Sequence, residues 1–203
     1  MEVGGRVRPL AIASLAVLFC ARACGQPVHV YSGLFDLRIP ADPDSSKGWM
    51  SDAVIEVPDH LGIVDLDIGI TLTHTKVLDL QIFVESPSAE RLCLNMYNPF
   101  DEYFEGEDYI QTIFDDEAGT PIEEATPPFT GRFSPLSPGR LDVFDDEDAF
   151  GLWRLQIYDA FYADVGQLDS FQLLITVPEP ATVVLFLVGT VWVTAFRSLK
   201  RMP

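Results

Sequence analysis

Alternation with a period of two constrains this chain more than any other feature. Val64, Leu66, Ile68, Ile70 and Leu72 are separated by Asp65, Asp67, Gly69 and Thr71. Leu78, Leu80, Ile82 and Val84 are separated by Asp79, Gln81 and Phe83. Trp153, Leu155 and Ile157 repeat the pattern, as do Phe171, Leu173 and Ile175, and Val54, Ile55 and Val57 suggest one more strand. Successive side chains of a strand point to opposite faces, so each run describes a strand with one face buried. Turn formers fall between the runs at Pro40-Ala41-Asp42-Pro43, Ser86-Pro87-Ser88, Pro127-Pro128 and Ser137-Pro138-Gly139. No stretch between 26 and 177 shows a helical period. The pattern predicts an all-β domain, a jelly-roll-like antiparallel β-sandwich of about eight strands, with a closed barrel as the competing architecture. Asn95 to Pro138 reads as one long acidic loop, packed down by interleaved aromatics such as Tyr109 and Phe114.

Both ends read as targeting segments, which divides the 203 residues into three. Residues 1–25 carry a basic start (Arg6, Arg8), an apolar run from Leu10 to Phe19 and a small-x-small site at Ala21-Arg22-Ala23. That order is expected of a signal peptide cut after Ala23 or Gly25. A first membrane helix and an acylated Cys24 are the competing readings. Residues 26–177 form the foldable domain. Residues 178–203 hold an apolar run at 181–196, then Arg197, Lys200 and Arg201. Sixteen helical residues extend about 24 Å, short for a core of roughly 30 Å unless its flanks snorkel. The terminal basic cluster is expected on the cytoplasmic side, leaving the domain outside.

The formal charge is −18, and between residues 26 and 177 seven Lys and Arg face 29 Asp and Glu, a balance of −22. Such a surface repels nucleic acid and favours cations. Cys93, the one cysteine of the middle segment, has no partner for an internal disulfide and is expected to be a small buried hydrophobe. No Gly-x-Ser-x-Gly, His-Glu-x-x-His or Walker motif is present among the residues. His29, His60 and His74 are the three histidines, and no catalytic residue is assigned. Carboxylates outnumber bases so heavily that a hard cation becomes a candidate partner. Asp79 opens one strand, Asp159 closes another, and Asp115-Asp116 follow an apolar step. These four are the candidate calcium ligands, if they converge at one end of the sandwich. The alternative is that they cap turns by accepting backbone N–H groups.

Six segments, in order, resemble the P domain (P/Homo B domain) of subtilisin-like proprotein convertases. They are Ile70-Thr-Leu-Thr-His-Thr75, Asp79-Leu-Gln-Ile-Phe-Val-Glu-Ser-Pro87, Thr112-Ile-Phe-Asp-Asp-Glu-Ala-Gly119, Ala125-Thr-Pro-Pro-Phe-Thr-Gly131, Gly151-Leu-Trp-Arg-Leu-Gln-Ile-Tyr-Asp159 and Gly166-Gln-Leu-Asp-Ser-Phe171. The resemblance implies a jelly-roll sandwich and a non-catalytic domain, since the family's Ser, His and Asp machinery resides in a separate catalytic domain. Val177-Pro178-Glu179-Pro180, followed by the apolar run and the basic end, resembles a PEP-CTERM sorting signal. That implies an exosortase-like processing partner in a Gram-negative bacterium; an ordinary tail anchor is the alternative. The expected function is an exported, envelope-sorted interaction module, membrane-anchored or released, contacting matrix polysaccharide or an envelope or secreted protein. The alternative is an accessory domain for a separate secreted subtilisin-like serine endopeptidase.

Overall fold

The computed structural model describes residues 26–45, 47–96 and 106–179. The leader at 1–25, Pro180 of the sorting motif and the run 181–196 lie outside these residues. Among the described residues no helix is long and apolar enough to cross a membrane.

Ten strands are described: β1 (Val28–Ile39), β2 (Gly48–Trp49), β3 (Ala53–Val57), β4 (Asp65–His74), β5 (Leu80–Glu85), β6 (Arg91–Asn95), β7 (Tyr109–Phe114), β8 (Phe129–Phe133), β9 (Gly151–Asp159) and β10 (Gly166–Thr176). They form two sheets. One has the order β1-β10-β4-β7-β8; the other has the order β2-β9-β5-β6, with β3 also pairing with β9. The chain is therefore all-β and builds a sandwich. The inward phase of each alternating run supplies the core. Leu66, Ile68, Ile70 and Leu72 of β4, with Leu168, Phe171, Leu173 and Ile175 of β10, face Leu80, Ile82 and Val84 of β5 and Trp153, Leu155 and Ile157 of β9. Burying each such side chain contributes about 1.5–3 kcal/mol. The Trp153 indole N–H donates to the Ala149 carbonyl at 2.9 Å, so its one polar atom is satisfied inside the core.

Three expectations need correction. The stretch from Asn95 to Pro138 is not one loop, because β7 lies inside the first sheet beside β4 and β8 lies beside β7. The sandwich is also not wholly antiparallel: β7 and β8 run parallel, Tyr109 opposite Phe129 and Phe114 opposite Phe133. The segment between them, which includes a 3-10 turn at Ile122–Glu124, returns the chain to the start of β7. A parallel neighbour needs a crossover of this length. Cys93 also departs from expectation. It is half-buried on β6, and its thiol donates to the Asn95 carbonyl at 3.3 Å. Burial pushes that thiol's pKa up.

Candidate functional site

The end of β4, the end of β9 and the 3-10 turn that leads into β5 meet at one end of the sandwich. Three ionisable side chains are buried there: His74, Asp79 and Asp159. His74 is the last inward residue of β4. Its Nδ1 accepts the backbone N–H of Lys76 at 3.1 Å, so the ring proton belongs on Nε2. Nε2 faces Asp159 Oδ2 at 3.3 Å. Asp159 Oδ1 accepts the Phe161 N–H at 3.1 Å, and the N–H of His74 itself donates to Asp108 Oδ1 at 3.0 Å. Thr75 ties the following loop to this end. Its hydroxyl donates to Asp164 at 2.8 Å, and its N–H donates to the Val165 carbonyl at 3.2 Å. Gly166 opens β10 directly opposite His74. A Cβ on it would overlap the Thr73 carbonyl and the His74 ring, so this close approach requires glycine.

Asp79 is the strained member of the group. Its Oδ1 has Lys76 Nζ at 3.6 Å, while Oδ2 is buried with no hydrogen-bond partner among the described residues. Burial raises its pKa from 3.8 to about 6; Lys76 opposes the shift, and Asp164 and Asp159 add to it. Beside this cluster opens a cavity of about 560 Å³, lined among others by Thr75, Lys76, Glu107, Asp108, Pro127 and Asp164.

Of the four candidate calcium ligands, Asp79 and Asp159 come together here. Asp115 and Asp116 do not join them. β7 runs antiparallel to β4, with Phe114 opposite Ile68. At about 3.3 Å per residue, Asp115 therefore lies roughly 20 Å along β4 from His74. The sequence did not reveal in which direction β7 runs. Each of the two remote acids has found a base instead. Asp115 bonds Arg132, which also holds Asp67 at 2.9 Å through both terminal nitrogens. Burial pushes the Asp115 carboxyl upward, but Arg132 and the Glu117 N–H outweigh it and leave its pKa lowered. Asp67 moves the other way, because its burial outweighs Arg132. Asp116 Oδ2 accepts the Asp142 N–H at 2.9 Å and has Arg140 at 3.6 Å, while its Oδ1 is buried with no partner among the described residues. The turn-capping alternative describes Asp115 Oδ1, which accepts the Glu117 N–H at 2.8 Å. Four acids divided between two ends do not fit one shared calcium ion, which takes six to eight oxygens. Among the described residues no group of three or more His, Cys, Asp or Glu side chains is placed to hold a metal ion. Of the sorting motif, Pro178 and Glu179 are described and follow β10 in no regular structure.

The residues that sequence reasoning missed lie on the outward phase of the second sheet. Phe83 and Tyr158 occupy positions where alternation calls for polar side chains, and that mismatch was the available signal.

The family described as proprotein convertase P-domain matches residues 63–175, more than half of the chain. No curated protein matches the sequence. Among solved structures, a serine protease of Aeromonas sobria is similar, at 16% identity and a TM-score of 0.44, with 75% of this chain and 27% of that chain covered. The Aeromonas sobria serine protease in complex with the chaperone ORF2 gives 17% identity and a TM-score of 0.43, with 76% of this chain and 28% of that chain covered. The chain thus spans little more than a quarter of the length of these proteases.

Proposed function

The chain belongs to the proprotein convertase P-domain family, a family of non-catalytic accessory domains, and from that premise we propose that it is an exported module that holds a partner at the cell envelope. The observation that carries this reading is the state of His74. Nucleophilic catalysis needs an imidazole free to take a proton from a hydroxyl or thiol. His74 has one ring nitrogen on a backbone N–H and the other on Asp159, and among the described residues no serine, threonine or cysteine side chain bonds its ring. The cluster is built to hold the end of the sandwich together. The basic, apolar leader at 1–25 and the Pro178-Glu179-Pro180 motif ahead of 181–196 support export and sorting by an exosortase-like enzyme.

Peptidase assays on the purified full chain test the non-catalytic part. No hydrolysis of a peptide panel is expected; activity that survives removal of contaminants and disappears in His74→Ala overturns the reading. Replacing Pro178-Glu179-Pro180 by alanines tests the sorting part, since an unchanged mature mass would exclude processing at this motif. Family membership favours a second reading, an accessory role for a separate secreted subtilisin-like protease. Recovery of such a protease with this chain from native envelope would select it.

A further inference from the structure

In the second sheet, the inward residues of β5 and β9 turn Phe83 and Tyr158 to the outer face. Trp49 of β2 joins them. Its ring lies 4.9 Å from Tyr158 and 6.1 Å from Phe83, and it is 49% exposed. The Arg91 guanidinium of β6 rests 3.9 Å from the centre of Phe83 and 5.6 Å from that of Trp49. On the opposite flank, Lys47 lies 4.4 Å over Tyr162, which is 58% exposed. Hydrogen bonding to Tyr162 raises the Lys47 pKa, and Tyr158 adds to the effect. Three neighbouring rings, on β2, β9 and β5, thus end at Arg91 of β6, a span of about 14 Å at ordinary strand spacing, and the Lys47–Tyr162 pair lies just beyond the ends of β2 and β9.

The charges make this row unusual. The middle segment holds only seven bases against 29 acids, and Arg132, Arg140, Arg154 and Lys76 each sit within ion-pair range of a carboxylate. Arg38, Arg91 and Lys47 form no ion pair with an Asp or Glu among the described residues; Arg38 lies on β1 of the other sheet, while Arg91 and Lys47 lie on aromatic faces. Glu85 stands opposite Arg91 in the β5–β6 ladder but lies 3.9 Å from Arg154, so Arg91 and Lys47, lying on rings, form a surface complementary to a ligand that is both flat and anionic.

We propose that the outer face built by Trp49, Tyr158, Phe83, Arg91, Lys47 and Tyr162 binds an acidic polysaccharide, a chain of pyranose rings carrying scattered carboxylates. One face of a pyranose presents C–H groups, which suit an aromatic ring, and its rim presents hydroxyls. The amide of Gln81, in register with Tyr158, stands ready to meet those hydroxyls, while Gln156, opposite Phe83, donates to Asp52 at 3.4 Å and keeps its carbonyl oxygen as an acceptor. Arg91 and Lys47 then pair with uronate carboxylates. A single-stranded nucleic acid also stacks on aromatics, but its charge on every residue meets the surrounding negative field with only two free bases to offset it. This inference rests on the reading that the chain holds a partner, and it names the partner's chemistry.

Electrophoresis of the full chain through native gels containing xanthan or gellan, whose glucuronate carboxylates are spaced by neutral sugars, tests it. Hydroxyethyl cellulose serves as the neutral polymer, and a fluorescent oligo-dT is titrated separately. Both uronate polymers are expected to retard the chain. Trp49→Ala and Arg91→Ala should each weaken binding about tenfold, the equivalent of about 1.4 kcal/mol. Leu34→Ser, a change at an exposed apolar residue of the other sheet, should leave mobility unchanged. Unchanged mobility in both uronate gels overturns the proposal, as does equal retardation by the neutral polymer. Trp49-dependent binding of oligo-dT tighter than that of the uronates assigns the face to nucleic acid and overturns it too. Peptide hydrolysis would overturn the function reading whatever the gels show. Recovery of a protein partner without uronate binding would leave that reading standing and remove this one.

Discussion

Buried carboxylates divide this domain into members that are compensated and members that are not. Asp115 and Asp67 share Arg132, so removing that base leaves two buried acids facing each other, with Asp65 close to Asp67. Arg132→Ala is expected to cost about 2 kcal/mol, below the 3–5 kcal/mol of a fully buried pair because the guanidinium is half-exposed. Denaturant unfolding at neutral pH reads the difference, and an unchanged midpoint would show that water replaces the arginine. Asp79 is the opposite case. Its folded pKa is raised from 3.8 to about 6, among Lys76, Asp159, Asp164 and His74. A carboxyl raised on folding favours the native state most when protonated. That contribution is complete below pH 3.8 and is lost as the pH rises through about 6. Ionised Asp79 therefore costs up to about 3 kcal/mol at pH 7. Asp79→Asn should flatten the fall in stability between about pH 4 and pH 6 and raise the melting temperature at pH 7. Melting curves of wild type and variant that stay parallel across that window would show that the carboxylate is solvated after all.

At the scale of elements, the junction of β4 and β10 is closely packed at Gly166. Gly166→Ala places a methyl group against the Thr73 carbonyl and the His74 ring and should destabilise the domain by about 2–3 kcal/mol. Gly62→Ala, where nothing lies within 4 Å of the added carbon, is the matched control. Equal melting temperatures for the two variants would refute the close approach. The same elements show why only part of the fold was legible. β4, β5, β9 and most of β10 hold a strict alternation, so their inward sets could be read directly. β7 buries Tyr109, Thr112 and Phe114. The step of three from 109 to 112 comes from a bulge in its pairing with β4, where Gln111 takes a φ of 50°. A bulge inverts the phase of a strand, and so the strand was hidden in what read as an acidic loop. β1 carries a similar shift between Leu34 and Leu37. The candidate site was legible to the same degree. Asp79 immediately precedes β5 and Asp159 ends β9, both strands of clear phase, and the two do converge, while Asp115 and Asp116 follow a strand whose phase and direction the residues conceal.

For the whole molecule, the excess of acids is a diffuse repulsion that salt screens. Sodium chloride should therefore raise the melting temperature. Calcium and magnesium at matched ionic strength should give coincident shifts, because arginines already stand beside Asp115 and Asp116. A calcium-specific rise that disappears in Asp116→Asn would instead assign an ion to the unpartnered Oδ1. The pairing of the first and last strands has a mechanical consequence. Val28 stands opposite Thr176, and the Val177 N–H reaches the Pro27 carbonyl at 3.0 Å. Both ends of the domain leave from one corner, so tension applied between them opens the β1–β10 ladder one rung at a time, as a zip opens, and never loads all its hydrogen bonds together. Tethered by one end alone, the domain swings from that corner and feels no such pull; spliced into a chain under load, it would begin to peel at Val28.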